Sequence, residues 1–122
     1  MHSNAILIDL RHEKAILEQV LELAECQLEL IQSGRIEDVE ILLRLRAEPM
    51  IQLANAEVNV GREMPQLEHD DLNMTTTELE ELQRLNLLIT NLATRIADID
   101  DRVNRLAELQ NSAWPAAQIE PH

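Results

Sequence analysis

The chain has 122 residues, 45% of them apolar, which is enough for the core of one domain. It has no Phe, no Tyr, one Trp and two Gly, so the core must be aliphatic and a loop-rich α/β enzyme is disfavoured. The net charge of −13 disfavours nucleic acid and anionic membrane surfaces as partners, because both repel an acidic protein.

The first predicted helix covers residues 4–33 and has a broad apolar face at helical spacing. This face consists of Leu7, Leu10, Leu17, Leu21, Ala24, Leu28 and Ile31. Gly34 follows at the point where a helix commonly closes with a left-handed residue. Because only a few residues separate this helix from the next, the two are predicted to form an antiparallel hairpin.

The second predicted helix covers residues 36–62 and contains Pro49 in its interior. Its predicted apolar face consists of Ile36, Val39, Leu42, Leu43, Met50, Leu53, Val60 and Met64. A proline inside a helix either kinks it or divides it. The apolar pattern keeps its phase across Pro49, which favours a kink over two shorter helices. Gly61 and Pro65 then interrupt the pattern, and residues 66–74 are predicted to form a loop, either without regular structure or with one helical turn.

The third predicted helix covers residues 76–111 and has the most regular pattern in the chain. Thr75 and Glu78 have the Thr-x-x-Glu spacing of a capping box at its start. Eight aliphatic residues then follow at alternating steps of three and four, which is typical of a coiled coil. They are Leu82, Leu85, Ile89, Leu92, Ile96, Ile99, Val103 and Leu106. Residues 112–122 are predicted to be a flexible tail, in which Trp114 is either exposed or docked on the bundle or a partner.

These segments predict an all-α protein with one helical domain over residues 1–111. The expected architecture is an elongated antiparallel bundle or coiled coil of about three long helices. Acidic residues beside the core face of the first helix could face Arg95 and Arg102 of the third and set the helix register. The simpler interpretation is that both are solvated faces.

The sequence predicts no catalytic, cofactor-binding or metal-binding residues. His12-Glu13 lacks the second histidine that a helical zinc motif would place at position 16. No acidic residue lies within the apolar faces, so no buried carboxylate pair is expected. The N-terminus has no basic segment of the kind that begins a signal peptide, and no apolar run approaches the ~20 residues of a membrane span. The expected location is the cytoplasm.

Three stretches resemble the FlgN family of flagellar export chaperones, and the similarity extends over most of residues 5–110. The stretch 17–23 (LEQVLEL) resembles the opening helix of that family, and 34–39 (GRIEDV) resembles its turn into the second helix. The stretch 85–89 (LNLLI) resembles part of its C-terminal helix. The resemblance implies a small acidic cytoplasmic protein that is almost wholly helical.

The same resemblance implies a function in binding the C-terminal helical segments of hook–filament junction proteins before export. Binding would lay an amphipathic helix on exposed aliphatic surface of the third helix. The residues expected to form that surface are Leu88, Ile96, Ile99, Val103 and Leu106. Alternatively, these five side chains pack inside the bundle. The alternative function is a coiled-coil scaffold or homodimerisation protein without a secreted client.

Overall fold

A computed structural model describes the backbone of residues 2–70 and 74–119 and the side chains of residues 5–63 and 74–110. The described backbone forms three long helices and no strand: α1 (His2–Gln32), α2 (Ile36–Asp70) and α3 (Thr76–Ile119). The predicted all-α bundle of about three long helices is confirmed.

The helix ends at both junctions follow the local chemistry that the sequence predicts. Gly34 has φ 76°, its N–H donates to the carbonyl of Ile31 (3.1 Å), and the Arg35 N–H donates to the carbonyl of Leu30 (2.9 Å). This pair of bonds is the Schellman arrangement, which needs a left-handed residue. At the start of α3 the capping box is confirmed: the Thr75 hydroxyl accepts from the Glu78 N–H (3.1 Å) and the Glu78 carboxylate accepts from the Thr75 N–H (3.0 Å).

The two glycines are expected to respond in opposite directions to replacement by alanine. Gly34→Ala should lower the free energy of unfolding by about 1 kcal/mol, because a Cβ is strained in the left-handed region. Gly61→Ala should raise it by about 0.8 kcal/mol, because Gly61 is an exposed residue inside α2 whose added Cβ would meet nothing within 4 Å. Urea denaturation of both variants measures the two changes. If the free energy of unfolding changed in the same direction in both, the different backbone conformations assigned to Gly34 and Gly61 would be wrong.

Two of the predicted helix boundaries are wrong. α2 continues through Gly61 and Pro65 to Asp70, so it does not end near Arg62, and residues 66–70 extend it instead of forming a loop or a separate turn. Residues 71–73 lie outside the described part. An interior glycine destabilises a helix by only about 1 kcal/mol, which does not by itself end a helix. α3 passes Asn111 and ends at Ile119, and no glycine is present after Asn111 to close it.

The helix α2 is continuous at Pro49, so the alternative of two shorter helices is wrong. The proline removes one backbone hydrogen bond and its ring crowds the carbonyl four residues earlier, which destabilises a helix by about 3 kcal/mol. Its ring is buried against the bundle, and that packing supports the turn around it. A kink at this position stays a prediction.

The core consists of three apolar clusters that follow one another along the bundle. The first joins Ile6, Leu7 and Leu10 of α1 with Met74, Leu82 and Leu85, and Val60 of α2 packs against it. The second joins Ile16, Leu17, Val20 and Leu21 with Leu53, Ala56 and Ile96. The third joins Ile31, Val39 and Val103. The order of these contacts places α2 antiparallel to both α1 and α3, which confirms the predicted hairpin.

The helix α1 contacts both other helices extensively, whereas the backbones of α2 and α3 rarely approach each other. Its buried face is therefore wider than predicted. In addition to the predicted apolar positions, a heptad series comprising Ile6, Glu13, Val20 and Gln27 is buried, at 0%, 8%, 0% and 4% exposure. Because Glu13 and Gln27 are polar, a search for apolar periodicity does not recognise this series. The expectation that no acidic residue lies within the apolar faces is wrong at Glu13.

Candidate protein-binding surface

Exposed aliphatic side chains are concentrated on α2. Of the eleven large apolar side chains that are exposed in the described part of the chain, seven belong to α2, three to α3 and one to α1. The seven are Ile36, Ile41, Leu43, Leu45, Met50, Ile51 and Val58. Single exposed apolar side chains are ordinary on a protein surface, but a cluster of them indicates an interface.

Five of these side chains share one side of α2. At 100° per residue, Ile36, Leu43, Met50, Ile51 and Val58 fall within an arc of about 100°, together with the small residues Ala47 and Ala54. We call this set of seven the outer stripe. Its five large side chains are between 41% and 58% exposed. The stripe is roughly 33 Å long, the length of a helix of about 22 residues.

The outer stripe corrects the predicted apolar face of α2, which combined two different faces. Val39 and Leu53 are buried and Leu42 and Val60 are partly buried, as expected for the side that packs on α1 and α3; the side chain of Met64 lies outside the described ones. In contrast, Ile36, Leu43 and Met50 are 44%, 52% and 41% exposed. These three recur every seven residues, three positions before the buried series of residues 39, 46, 53 and 60. The sequence therefore contains two heptad series on different sides of α2. Treating them as two faces instead of one would have identified the stripe.

Four of the five predicted partner-binding residues of α3 pack inside the bundle. Ile96 and Val103 are each 8% exposed and belong to the second and third core clusters. Ile99 and Leu106 are partly buried against the same clusters. Leu88 is partly exposed and belongs to none of the three clusters. A binding function of these residues stays a prediction, and for Ile96 and Val103 it would require the bundle to open.

A polar junction joins the inner side of α2 to both other helices. The guanidinium group of Arg46 donates from Nη1 and Nη2 to the two carboxylate oxygens of Asp100 on α3, at 2.7 and 2.6 Å. Nη1 also donates to Oε1 of Gln27 on α1, at 2.9 Å. The bond to Asp100 also raises the pKa of Arg46 above its usual value. Because a bidentate pair is strongly directional, Arg46 holds its side of α2 against the bundle and leaves the outer stripe facing away.

Charged side chains lie beside the outer stripe. Glu40 falls within its arc, and Glu37, Arg44 and Glu48 follow along one edge. Among the side chains that the structure describes, no ion pair is formed by these four residues. The predicted pairing of the acidic face of α1 with α3 is present at one position, where Arg95 lies 3.5 Å from Glu25. Both of those side chains are more than half exposed, so the pair contributes little to stability.

Carboxyl groups of α1 lie near carboxyl groups of α2. Burial, with the charge of Glu57 as the second cause, raises the pKa of Glu13. Burial and the neighbouring carboxyl of Asp9 raise the pKa of Glu63 to about 7. Its Oε2 atom is buried and has no hydrogen-bond partner among the described residues. Each of the two side chains therefore holds its proton more tightly than an ordinary glutamic acid does, and loss of the proton weakens this interface.

The protein is expected to lose stability as the pH rises from about 4.5 towards 7. A carboxyl group with a raised folded-state pKa binds its proton more tightly when folded, so its contribution is complete below the ordinary value of 4.5 and disappears as the pH passes the folded value of about 7. Glu63→Gln should flatten this decline and stabilise the protein at pH 7.5 by about 1 kcal/mol, a value reduced for solvent screening. Thermal unfolding across pH 4.5–8 is the measurement. An unchanged pH profile in the variant would contradict the assignment.

Other kinds of site find little support in this structure. Across the described residues, no group of three or more His, Cys, Asp and Glu side chains is placed to hold a metal ion. None of the described helices combines the length and apolarity needed to cross a membrane. Cys26 is a free, exposed thiol, and the side chain of Trp114 lies outside the described ones. A comparison with known proteins found no matching family model, curated protein or solved structure.

Proposed function

We propose that this protein binds amphipathic helical segments of partner proteins on the outer stripe of α2 and acts as a cytoplasmic export chaperone. The observation that carries the binding proposal is the concentration of exposed aliphatic side chains on one side of α2. The resemblance to the FlgN family supports the chaperone part, with helical tails of hook–filament junction proteins as the clients.

The energetic argument rests on the remaining exposure of the stripe. Full burial of one Leu, Ile, Val or Met side chain contributes about 1.5–3 kcal/mol. Each of the five large side chains is still about half exposed, so a partner helix can bury the remainder of each. Several such increments exceed the ordering cost of a flexible client segment only when they act together. A contiguous stripe meets this condition, whereas scattered apolar side chains do not.

The test is titration calorimetry of the full chain with peptides from the C-terminal helices of hook-associated proteins. We expect binding by the unmodified chain and at least about tenfold weaker binding by Leu43→Glu, since a charge in the middle of the stripe must be desolvated. The matched control is Leu87→Glu, an equally exposed leucine of α3 that lies outside the stripe (63% exposed, against 52% for Leu43). It should bind as the unmodified chain does.

Two results would overturn the proposal in different parts. If no such peptide binds to the unmodified chain, the chaperone function is wrong. If peptides bind and only Leu88→Glu weakens them, the binding surface is the predicted one on α3 rather than the outer stripe. The scaffold alternative predicts that none of these peptides binds.

A further inference from the structure

Residue size alternates regularly along the outer side of α2. The large residues Ile36, Leu43 and Met50 recur every seven positions. The small residues Ala47, Ala54 and Gly61 also recur every seven, and all six are exposed. Together with Glu40 and Glu57 they complete the steps of three and four that define a coiled-coil seam. This seam is separate from the one that packs α2 into the bundle.

We infer that α2 pairs through this seam with α2 of a second copy of the chain, in antiparallel orientation. The inference rests on the proposed use of the outer stripe as an interface. It adds that a second copy of the chain covers this stripe when no client is bound. We propose the antiparallel register in which the residue numbers of any two facing positions, one from each copy, add up to 97. Met50 then faces Ala47 of the second copy, Leu43 faces Ala54, and Ile36 faces Gly61.

Size complementarity is what selects this occupant and this orientation. Each pair of facing residues, one from each copy, forms one layer of the seam. Two-fold symmetry produces each of the three large–small layers twice, so six of the eight layers combine a large residue with a small one. Such alternation allows two helices to interdigitate without voids. A parallel pair in register would instead place Leu43 on Leu43 and Ala54 on Ala54, so that the helix separation set by the leucines would leave gaps at the alanines.

At the Gly61 end of the seam there is space for a large side chain. Gly61 has no atom within 4 Å of where its Cβ would be, so the side chain of Ile36 from the second copy has space there. The seam extends over residues 36–61, a length of roughly 38 Å. A single helix pair presents fewer residues than the ~20–30 per side of a standard interface. The expected dimer is therefore reversible, with a dissociation constant in the micromolar range or above.

The two remaining layers limit the affinity of the pair. They place Glu40 opposite Glu57 of the second copy, and each chain carries a net charge of −13. Like charges opposed across an interface oppose association. A client helix that lacks acids at those positions avoids this repulsion and can displace the second copy. Self-pairing would then cover the outer stripe until a client binds.

Sedimentation equilibrium of the full chain over a range of concentrations tests the inference. Ala54→Leu should weaken dimerisation by about tenfold or more, since it places Leu against Leu43 in two layers. Leu43→Ala should also weaken it, because it leaves a gap in the same two layers. The double variant Leu43→Ala with Ala54→Leu exchanges the sizes and should restore the affinity to within about threefold. Both residues are good helix formers at exposed positions, so the monomer itself should be little affected.

A charge exchange provides an independent arm. Glu40→Lys places Lys opposite Glu57 of the second copy and should strengthen the dimer more than Glu22→Lys, which makes the same charge change on exposed surface of α1. Orientation follows from disulfide trapping with Cys26 replaced by Ser. A mixture of Ile36→Cys and Gly61→Cys chains should form mixed disulfides, whereas either variant alone should not.

The failure of this inference can be told apart from failure of the proposed function. A chain that stays monomeric up to about 1 mM, or a double variant that dimerises no better than Ala54→Leu, overturns the antiparallel pairing. Disulfides within Ile36→Cys alone would show a parallel pair and would also overturn it. Neither result affects helix binding measured by calorimetry. Conversely, a dimer that behaves as described supports the pairing even if no client peptide binds.

Discussion

Leu17→Ala is expected to lower the free energy of unfolding by about 3 kcal/mol. Leu17 is 3% exposed and lies in the second core cluster, where all three helices contribute side chains. Truncation removes buried methyl groups and leaves a cavity that the surrounding helices fill only partly, which destabilises by about 2–5 kcal/mol. Since a domain is stable by only about 5–15 kcal/mol, this is a large fraction of the total. Urea denaturation followed by circular dichroism measures it.

The matched control for this prediction is Leu45→Ala. It removes the same atoms from a side chain of α2 that is 56% exposed and lies outside the core clusters. Its effect should be below about 0.5 kcal/mol. If the two variants were destabilised equally, the packing order of the bundle described above would be wrong.

Arg46→Met is expected to destabilise the protein by about 2–3 kcal/mol. The side chain of Arg46 is 13% exposed and that of Asp100 is 35% exposed, so the substitution leaves a partly buried carboxylate and the amide of Gln27 without their partner. Losing hydrogen bonds to a charged group destabilises by about 1.5–3 kcal/mol, and the remaining exposure of Asp100 limits the total. The midpoint of urea denaturation measures the change.

A double substitution separates packing from charge at this junction. Arg46→Met combined with Asp100→Leu removes both charges and should recover much of the stability lost in the single variant, because apolar replacements of a buried ion pair are often neutral. Arg105→Met is the control for the loss of an arginine, since Arg105 contacts Asp101 one turn away on the surface. It should leave the denaturation midpoint almost unchanged. A double variant that is less stable than Arg46→Met would contradict this account.

The third helix shows how much of the fold can be predicted from regular sequence. Its capping box and its eight aliphatic positions from Leu82 to Leu106 are all found as predicted, and each of the eight is buried or partly buried. Local hydrogen bonding and a strict heptad pattern both act within the helix itself, so they can be recognised without knowledge of its neighbours. The helix ends were less predictable, because Gly61 and the residues after Asn111 lie in helices that continue past the predicted signals.

The candidate surface shows what the pattern leaves open. Ile36 and Val39 belong to the same apolar face in the sequence, but in the structure Ile36 is exposed and Val39 is buried. The choice depends on how far α2 is rotated about its axis, and that rotation is set by contacts with the other two helices, among them the bonds from Arg46 to Asp100 and Gln27. Those partners are 54 and 19 residues away along the chain. The periodicity of the sequence contains both heptad series of α2 but does not say which of them is buried.

The sequence by itself determined three long amphipathic helices, their hairpin connection and an aliphatic core, because helical periodicity and capping depend only on neighbouring residues. Tertiary structure decided which apolar residues remain exposed. α1 contacts both of its neighbours and therefore buries Glu13 and Gln27, while α2 uses only one of its two heptad series against the bundle. The other series belongs to the outer stripe. This surface exists because three helices cannot cover every apolar side of one another.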